Sequence, residues 1–399
     1  MLSAIFGIIL IVVALMVSKR NTSGKVESAP AVPFSPITID RLTRHLAFKE
    51  MDMSVMQKIC ETVFTDINKI PVTHKKNICG TSIQRLEFTL DNLKDYDKIM
   101  KCESQLKAAF DNDNVSIIRD GSTIAVERPF FLETLYMGDL LKANPSYWTT
   151  NKLNIPIGRS TSGKDVFANI EDLKHILVAG CSGSGKSVFL QSMLLSILAR
   201  HNDAEIYILD PKRVEFSRYS NVPNCTVVTE IETAALLLEY LCEEMEHRYI
   251  LLEKSGARDI DTYNAQGGDM KRIILMVDEL GDIMKQIKKQ AEPLLVRLAQ
   301  KSRACGIHLV LATQYPTADI ITGCIKQNIP TKICFAVPST TASVVVLGRK
   351  GAEKLVGKGD MLYQTEKDLN PIRLQGGYVE DIDCLSVIAN QLGLRPAEA

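Results

Sequence analysis

The stretch His175-Ile176-Leu177-Val178-Ala179-Gly180-Cys181-Ser182-Gly183-Ser184-Gly185-Lys186-Ser187 decides how the C-terminal half of the chain folds. Its first five residues are mostly apolar and predict a buried strand, and the apolar run Val188 to Leu198 that follows predicts a helix. Between the two, Gly180 to Ser187 match the pattern G-x-x-x-x-G-K-[ST] in full. A strand, a glycine-rich loop and a helix in this order predict a phosphate-binding loop.

The chemistry of this loop follows from its residue types. Glycines let backbone N–H groups turn inward, so Gly180 to Ser187 are expected to wrap the phosphates of ATP at the amino end of a helix. Lys186 is expected to reach the β- and γ-phosphates, and the Ser187 hydroxyl to be a ligand of Mg²⁺. A similar stretch upstream, Gly158 to Lys164, continues with Asp165 and predicts a hairpin turn instead.

Acidic and amide side chains follow two further apolar strands. The strand Arg272 to Val277 ends in Asp278 and Glu279, at the edge where open α/β sheets bind ligands. We expect Asp278 to hold Mg²⁺, through water, and Glu279 to orient or deprotonate the attacking water. Gln314 follows another strand, where it either senses the γ-phosphate or serves as an ordinary turn residue.

Short apolar strands alternate with helices throughout residues 151–399, which is typical of a mainly parallel α/β sheet. Thr229 and Glu232 form a capping-box pattern at the start of one helix, and Ser255-Gly256 predicts where it ends. The predicted strands are His175 to Ala179, Glu205 to Leu209, Arg272 to Val277, Ile307 to Ala312 and Thr331 to Ala336.

The N-terminal residues predict a different setting. Met1 to Val17 carry no charged side chain, and Lys19, Arg20 and Lys25 follow them. This pattern favours a single-pass anchor in the cell's inner membrane with the rest of the chain on the cytoplasmic side; a peripheral anchor and a cleaved signal are the alternatives. We divide the chain into a transmembrane anchor (1–18), a linker (19–36), a small α+β domain (37–150) and a P-loop ATPase domain (151–399).

The small domain shows strand and helix periodicity but no catalytic constellation, so it is interpreted as a scaffold or assembly domain. Its predicted helix covers Asp95 to Phe110, with Ile99, Leu106 and Phe110 on one face. Its predicted strands are Ser82 to Phe88, Val115 to Ile118 and Thr123 to Val126.

Composition excludes some classes of protein. Lys and Arg total 47 and Asp and Glu total 47, so any nucleic-acid contact must come from local basic patches rather than from overall charge. The 10 cysteines include no C-x-x-C pair, which argues against a zinc ribbon or a redox motif. We interpret them as reduced thiols that fill core positions.

Over roughly Ile155 to Tyr378 the chain resembles the FtsK/SpoIIIE DNA translocases. The resemblance implies a RecA-like motor that forms a hexameric ring, threads double-stranded DNA and moves it by ATP hydrolysis. It also implies that Ile37 to Pro129 correspond to the family's smaller domain, which stacks as a second ring. The matching segments are Leu177 to Ser187, Asp210 to Lys212, Met245 to Tyr249, Tyr263-Asn264, Val277 to Leu280, Pro293 to Gln314, Asp319 to Ile333 and Gly351 to Leu362.

Two basic stretches, 285–303 and 326–358, fit contacts with DNA phosphates or between subunits, although solvated helix faces are the plainer interpretation of single residues. Where the family often has arginine, this chain has Lys332, so the arginine that acts on a neighbouring subunit's nucleotide is left between Arg297 and Arg303. The chain ends soon after the motor, and no winged-helix module for reading DNA sequence is expected. The candidate DNA contacts are Lys326, Lys332, Arg349 and Lys350.

Two other functions are compatible with these motifs. A membrane-bound secretion or conjugation ATPase would move protein or single-stranded DNA with the same nucleotide site. A non-motor assembly protein would use ATP only as a structural ligand, and the complete set of Lys186, Ser187, Asp278 and Glu279 argues against it.

Overall fold

In the computed structural model the described residues all belong to one unit of the chain. The predicted anchor and linker lie outside the described residues, and within the described part no helix is long and apolar enough to cross a membrane. The structure describes residues 51–79, 83–110, 115–120, 123–129, 134–148, 152–161, 163–199, 204–381 and 383–384.

The first sheet is small and antiparallel, with the strand order β1-β2-β4-β3. Three of its strands confirm the sequence prediction, but β1 was missed. β1 has no buried residue, carries Lys75-Lys76, and shifts register between His74 and Lys76, so it lacks the apolar alternation that would reveal a strand. The four strands are β1 (Val72–Cys79), β2 (Ile83–Leu90), β3 (Ser116–Asp120) and β4 (Thr123–Pro129).

Helices cover the inner face of this small sheet. The single helix predicted over Asp95 to Phe110 is two helices, because the chain turns at Cys102, whose N–H donates to Ile99 O at 2.9 Å. The predicted apolar face is nevertheless right, since Ile99, Leu106 and Phe110 are all buried. The helices are α1 (Met53–Glu61), which continues as a π-helical turn (Thr62–Ile67), α2 (Tyr96–Lys101) and α3 (Glu103–Phe110).

The second sheet has 10 strands in the order β6-β5-β14-β13-β12-β7-β11-β10-β8-β9. The run from β12 to β9 is parallel, which confirms the mainly parallel sheet and all five strands predicted for it. The other strands, β13, β14, β5 and β6, add an antiparallel edge. The strands are β5 (Asn154–Ser160), β6 (Asp165–Asn169), β7 (Ile176–Ala179), β8 (Glu205–Leu209), β9 (Cys225–Val228), β10 (Ile273–Val277), β11 (Ile307–Thr313), β12 (Thr331–Phe335), β13 (Asp360–Gln364) and β14 (Ile372–Gln375).

Helices pack on both faces of this sheet. Alternate residues of β7 point to opposite sides: Ile176 and Val178 join one apolar cluster with α7, and Leu177 and Ala179 join another with α8 and α10. The helices are α4 (Met137–Ala143), α5 (Pro145–Trp148), α6 (Ile170–Leu173), α7 (Lys186–Leu198), α8 (Ile231–Ser255), α9 (Ile260–Ala265), α10 (Leu280–Lys301), α11 (Gly323–Asn328) and α12 (Thr340–Leu347).

Local signals predicted two turns correctly and one helix start incorrectly. Gly158 to Lys164 do form a hairpin, between β5 and β6, and α8 does end at Ser255 with Gly256 in the left-handed region at φ 68°. The capping box of Thr229 and Glu232 is not formed. The residue before α8 is Glu230, whose carboxylate pairs with Arg213 instead of capping the helix.

The segment that leads into the large sheet is hydrogen-bonded to the segment that follows β14. Tyr136 forms a parallel bridge with Tyr378, in which Met137 N donates to Tyr378 O at 2.9 Å and Tyr378 N donates to Leu135 O at 2.6 Å. Residues before position 151 therefore already contact the larger sheet. The division into a small domain and an ATPase domain at residue 150 stays a prediction.

Two histidines are buried at the amino ends of β7 and β11. His175 Nδ1 accepts from Leu309 N at 3.1 Å, and His308 Nδ1 bonds to Lys174 O at 2.9 Å. Within the described residues neither Nε2 has a hydrogen-bond partner. Burial lowers the pKa of His175 to about 3, with a smaller contribution from His308, and lowers the pKa of His308 to about 4.

We expect these histidines to make stability depend on pH. Their folded pKa values lie below the unfolded value of about 6.5, so their stabilising contribution is complete above that pH and is lost as the pH falls toward the folded values. Each histidine should cost about 1.4 kcal/mol per pH unit below about pH 6. Urea unfolding at pH 7.5 and pH 5 should show this loss, and His175→Asn with His308→Asn should remove most of it.

The matched control is His247→Asn, because His247 is half-exposed on α8. It should leave the pH dependence of the urea midpoint as it is in the parent. An equal pH dependence in the parent and the double variant would contradict the assignment.

Candidate nucleotide-binding site

The phosphate loop begins where β7 ends, in the middle of the large sheet. Gly180 N donates to Thr313 O at 3.2 Å on one side, and Cys181 N donates to Ala336 O at 2.9 Å on the other. Both neighbouring strands therefore hold the entry of the loop. The loop leads directly into α7, which is buried along almost its whole length and so cannot shift without disturbing the core.

Glycine is sterically required at two loop positions. A Cβ on Gly180 would lie 2.5 Å from Ser184 Oγ and 2.6 Å from Phe335 Cβ. Gly185 has φ 107°, and a Cβ there would lie 2.5 Å from Gly359 N. A side chain at position 180 would collide with the side chains of Ser184 and Phe335, and one at position 185 with the backbone of Gly359, so only glycine lets the chain follow this path.

Lys186 and Asp278 meet in the interior of the site. Lys186 Nζ lies 3.0 Å from Asp278 Oδ1 and 3.0 Å from Asp278 O, and both side chains are almost fully buried. Two residues predicted separately, as the phosphate-binding cation and the metal-binding carboxylate, are therefore brought together. Ser187, the other predicted metal ligand, is the second residue of α7 and half-buried at the same edge of the sheet.

Glu279 is held in a fixed orientation at the start of α10. Its Oε1 accepts from Gly281 N at 3.0 Å and from Thr313 Oγ1 at 2.7 Å, while Oε2 accepts from Gln314 N at 3.0 Å. The carboxylate thus joins β10, α10 and the end of β11. Gln314 contacts Glu279 through its backbone N–H, and the role of its side chain as a sensor of the γ-phosphate stays a prediction.

Sequence reasoning assigned no role to Asp210 and Lys212, which follow β8. Lys212 Nζ lies 3.6 Å from Glu279 Oε2 and 3.7 Å from Asp282 Oδ2. Burial opposes the charge, but Glu279 and Asp282 outweigh it and raise the pKa of Lys212. The signal was present, since Asp210-Pro211-Lys212 stands at the end of a predicted strand that lies beside β10.

Two polar atoms in this region lack a partner. Asp210 is fully buried, and its Oδ2 accepts from Phe216 N at 3.0 Å, whereas Oδ1 has no hydrogen-bond partner among the described residues. Ser184 Oγ is likewise buried without a partner in the described part of the chain. Buried polar atoms are normally satisfied, so these two fit a site that receives a polar ligand.

The four candidate DNA-contact residues gather around α12, but they are not equivalent. Lys326 Nζ donates to Val344 O at 2.9 Å and Lys332 is half-buried; burial lowers the pKa of both lysines. Arg349 and Lys350 are exposed on the turn after α12, and Arg349 Nη1 donates to Asn370 Oδ1 at 3.0 Å. The exposed pair is the better placed for phosphate contacts.

Arg297 and Arg303 lie far from the phosphate loop of their own chain. Arg297 pairs with Glu246 at 2.9 Å on the exposed side of α10, roughly 25 Å along the helix from its start. Arg303 precedes β11, about 20 Å from the carboxyl edge of the sheet. It lines a cavity of about 740 Å³ together with Lys174 and Thr331, and this cavity lies at the opposite edge from the nucleotide site.

Sequence comparison places the site in a known context. The model of the FtsK/SpoIIIE family matches residues 137–275 and 266–318, which include the phosphate loop, Asp278, Glu279 and Gln314. DNA translocase SftA of Bacillus subtilis (strain 168) is 35% identical over 325 residues, which are 78% of this chain and 34% of that protein. The chain belongs to the FtsK/SpoIIIE family.

Other FtsK/SpoIIIE relatives and solved structures agree with this assignment. DNA translocase FtsK of Bacillus cereus is 35% identical over 338 residues, 80% of this chain and 43% of that protein, so this chain spans less than half the length of these relatives. The structure of the pCW3 conjugation coupling protein TcpA with ATPγS has a TM-score of 0.61 at 27% identity and covers 84% of this chain and 99% of that one. A type VII secretion ATPase, EccC of Thermomonospora curvata, has a TM-score of 0.55 at 21% identity and shows the fold alone.

Because Lys186 and Glu279 are assigned different roles in the site, substitution of Lys186 should impair ATP binding and substitution of Glu279 should impair hydrolysis. Lys186→Ala removes the cation that faces the phosphates and should abolish binding of a fluorescent ATP analogue. Glu279→Gln keeps the shape of the carboxylate and should retain binding while slowing phosphate release by about 10²–10⁴-fold.

Asp282→Asn is the matched control, since Asp282 also lies near Lys212 but one turn into α10. It should bind and turn over ATP close to the parent's rate. Parental turnover in Glu279→Gln would show that Glu279 does not act on the attacking water.

Proposed function

We propose that this chain is the ATP-hydrolysing motor of a double-stranded DNA translocase. The observation that carries the proposal is the meeting of Lys186, Asp278 and Glu279 at one buried edge of the sheet, behind a glycine loop that accepts no side chain at two positions. The curated relatives that share this region are named DNA translocases, which supports DNA as the substrate, and the choice of duplex DNA rests on the family resemblance of the sequence.

The geometry suggests how hydrolysis is divided among the residues. Lys186 exchanges its contact with Asp278 for the β- and γ-phosphates when ATP binds, so the buried ammonium keeps an anionic partner in both states. Glu279 Oε1 already accepts two hydrogen bonds, whereas Oε2 accepts one and retains capacity for the attacking water. Its fixed orientation suits a group that aligns or deprotonates that water.

The residues present also suit Mg²⁺. Ser187 and Asp278 would hold the ion, and the unpartnered Oδ1 of Asp210 lies on the next strand, where it can accept from a water. The ion supplies positive charge that offsets the charge developing on the transferred phosphate.

The remaining parts of the proposal rest on the sequence and the family. The motor works as a ring of six subunits around the DNA, and Arg303 or Arg297 acts on the nucleotide of a neighbouring subunit. Both arginines lie away from their own phosphate loop, which suits a head-to-tail ring in which opposite surfaces of adjacent subunits meet. Residues 1–18 tether the motor to the membrane from its cytoplasmic side, and residues 37–150 form the second, smaller layer.

A second candidate function is transport in conjugation or secretion, with single-stranded DNA or protein as cargo. The similarity to the pCW3 coupling protein TcpA favours it, because that likeness extends over 99% of the TcpA chain. The two candidates share the nucleotide site and differ in what stimulates it.

Stimulation of ATP turnover separates the candidates. Linear duplex DNA should raise turnover severalfold above the basal rate, and single-stranded DNA of equal nucleotide concentration should raise it much less. Phosphate release would be followed with each DNA and with none, and Glu279→Gln serves as the blank. Stronger stimulation by single strands would favour the conjugation function, and no stimulation by either DNA would favour a protein cargo.

Duplex binding should be electrostatic and indifferent to sequence. Each phosphate contact contributes about −0.9 to the slope of log K against log[salt], so Arg349→Ala with Lys350→Ala should make the slope shallower by up to about 2 units. Fluorescence anisotropy of two unrelated duplexes over a salt series measures this, and both should weaken alike.

The matched control is Lys254→Ala with Arg258→Ala, which removes the same charge from the exposed last turn of α8 and the segment after it. The slope of log K against log[salt] for this control variant should equal that of the parent. An unchanged slope in the Arg349 and Lys350 variant, or strong preference for one duplex, would contradict the assignment.

A further inference from the structure

The three-residue turn Gly357–Gly359 contacts the phosphate loop through its backbone. Gly359 N donates to Ser184 O at 2.8 Å, and Lys358 N lies 3.5 Å from Gly183 O. The backbone of Gly359 also fills the space where Gly185 would carry a Cβ. The Gly357–Gly359 turn is therefore in direct contact with the part of the loop that turns around the phosphates.

The residue that follows the turn, Asp360, holds the turn in place through its carboxylate. Its Oδ2 accepts from Val356 N at 2.8 Å and from Arg373 Nη2 at 2.7 Å, and its Oδ1 accepts from Arg373 Nε at 2.9 Å. Gly376 N donates to Gly359 O at 2.8 Å. The turn is thus tied to β14 both by a two-pronged ion pair and by backbone.

The same guanidinium reaches the small sheet. Arg373 Nη1 lies 3.2 Å from Glu127 Oε2, and Glu127 Oε1 lies 2.9 Å from Arg85 Nη1. Glu127 is 2% exposed and Asp360 5% exposed, so these charges interact where water screens them little. The network continues to Glu87, whose Oε1 lies 3.0 Å from Arg85 Nε.

A second contact ties the approach to the turn to the small domain. Lys354 Nζ lies 3.1 Å from Glu103 Oε2, and the same carboxylate oxygen accepts from Ile117 N at 3.3 Å. Glu103 belongs to α3, so the small domain contacts this segment directly at Lys354 and reaches Asp360 only through Arg373.

We propose that the small domain positions the phosphate loop, with Glu127 as the positioning residue that acts through Arg373, Asp360 and the Gly357–Gly359 turn. Asp360 and Arg373 alone would fix the turn only relative to β14. Glu127 fixes Arg373 relative to the small sheet, so the orientation of that sheet sets where the turn meets Ser184 and Gly185. The inference rests on the proposed nucleotide site and concerns ATP affinity rather than the chemical step.

Glu127→Gln tests the proposal without leaving a buried cation unpaired. Arg373 keeps Asp360, and Arg85 keeps Glu87, so the variant should fold. The Kd of a fluorescent ATP analogue should rise about tenfold, as expected when one charge-assisted hydrogen bond stops holding the loop. The KM for ATP should rise with it, while kcat at saturating ATP should stay close to the parent's.

Glu87→Gln is the matched control, because it removes one carboxylate from the same network and the same sheet without touching Arg373. Its Kd and KM should equal the parent's. Equal values in the parent and Glu127→Gln, or equal rises in both variants, would overturn the proposal, since the second result would show only general weakening of the small sheet.

The proposal can also be tested if Glu127→Gln does not fold or if the parent does not hydrolyse ATP. If Glu127→Gln does not fold, Glu103→Gln removes the exposed pair with Lys354, and it should raise the Kd by about twofold; no rise would overturn the proposal. Analogue binding is measured without turnover, so a parent that binds but does not hydrolyse ATP would refute the proposed function and leave this comparison valid.

Discussion

The contact between the Lys186 ammonium and the Asp278 carboxylate depends on the order of three strands. Lys186 begins α7, which follows β7, Asp278 follows β10, and β11 lies between these two strands, so the two strand ends are about 10 Å apart. Only a long side chain at the first turn of α7 can cross this distance above β11. The pairing of β7 with β11 and of β11 with β10 therefore sets the position of the ammonium, and a slip in either register would separate the pair. A buried ion pair contributes little net stability, so we attribute its presence to the chemistry of the site.

Much of the ATPase half could be predicted from the sequence, because parallel strands are buried on both faces. Ile273 to Val277 form a continuous apolar run, and the residues that follow such a run must lie at the carboxyl edge. That argument places Asp278 and Glu279 without any knowledge of their partners. Strands β1, β13 and β14 escaped prediction: β1 has no buried residue, β14 mixes exposed and buried residues, and β13 is mostly buried but is short and polar at both ends.

Contacts between distant segments were beyond sequence reasoning. Glycines at 357 and 359 are recognisable as turn residues, but their spacing does not reveal that the turn lies against Gly185. Glu127 shows the same limit: in the sequence it is one charged residue in a strand, and only the fold shows that it is almost fully buried between Arg85 and Arg373. The capping box was wrong because α8 has Glu230 as its N-cap, one residue after the Thr229 that the pattern favours.

The bridge between Tyr136 and Tyr378 gives the chain a mechanical property. The chain enters the large sheet through residues 134–137, where two backbone hydrogen bonds to Tyr378 join it to the segment after β14. Tyr378 stands two residues after Gly376, whose N–H holds Gly359 O. Tension on this connection would therefore act close to the support of the phosphate loop. With the coupling proposed above, a load on this connection would change how tightly ATP is held.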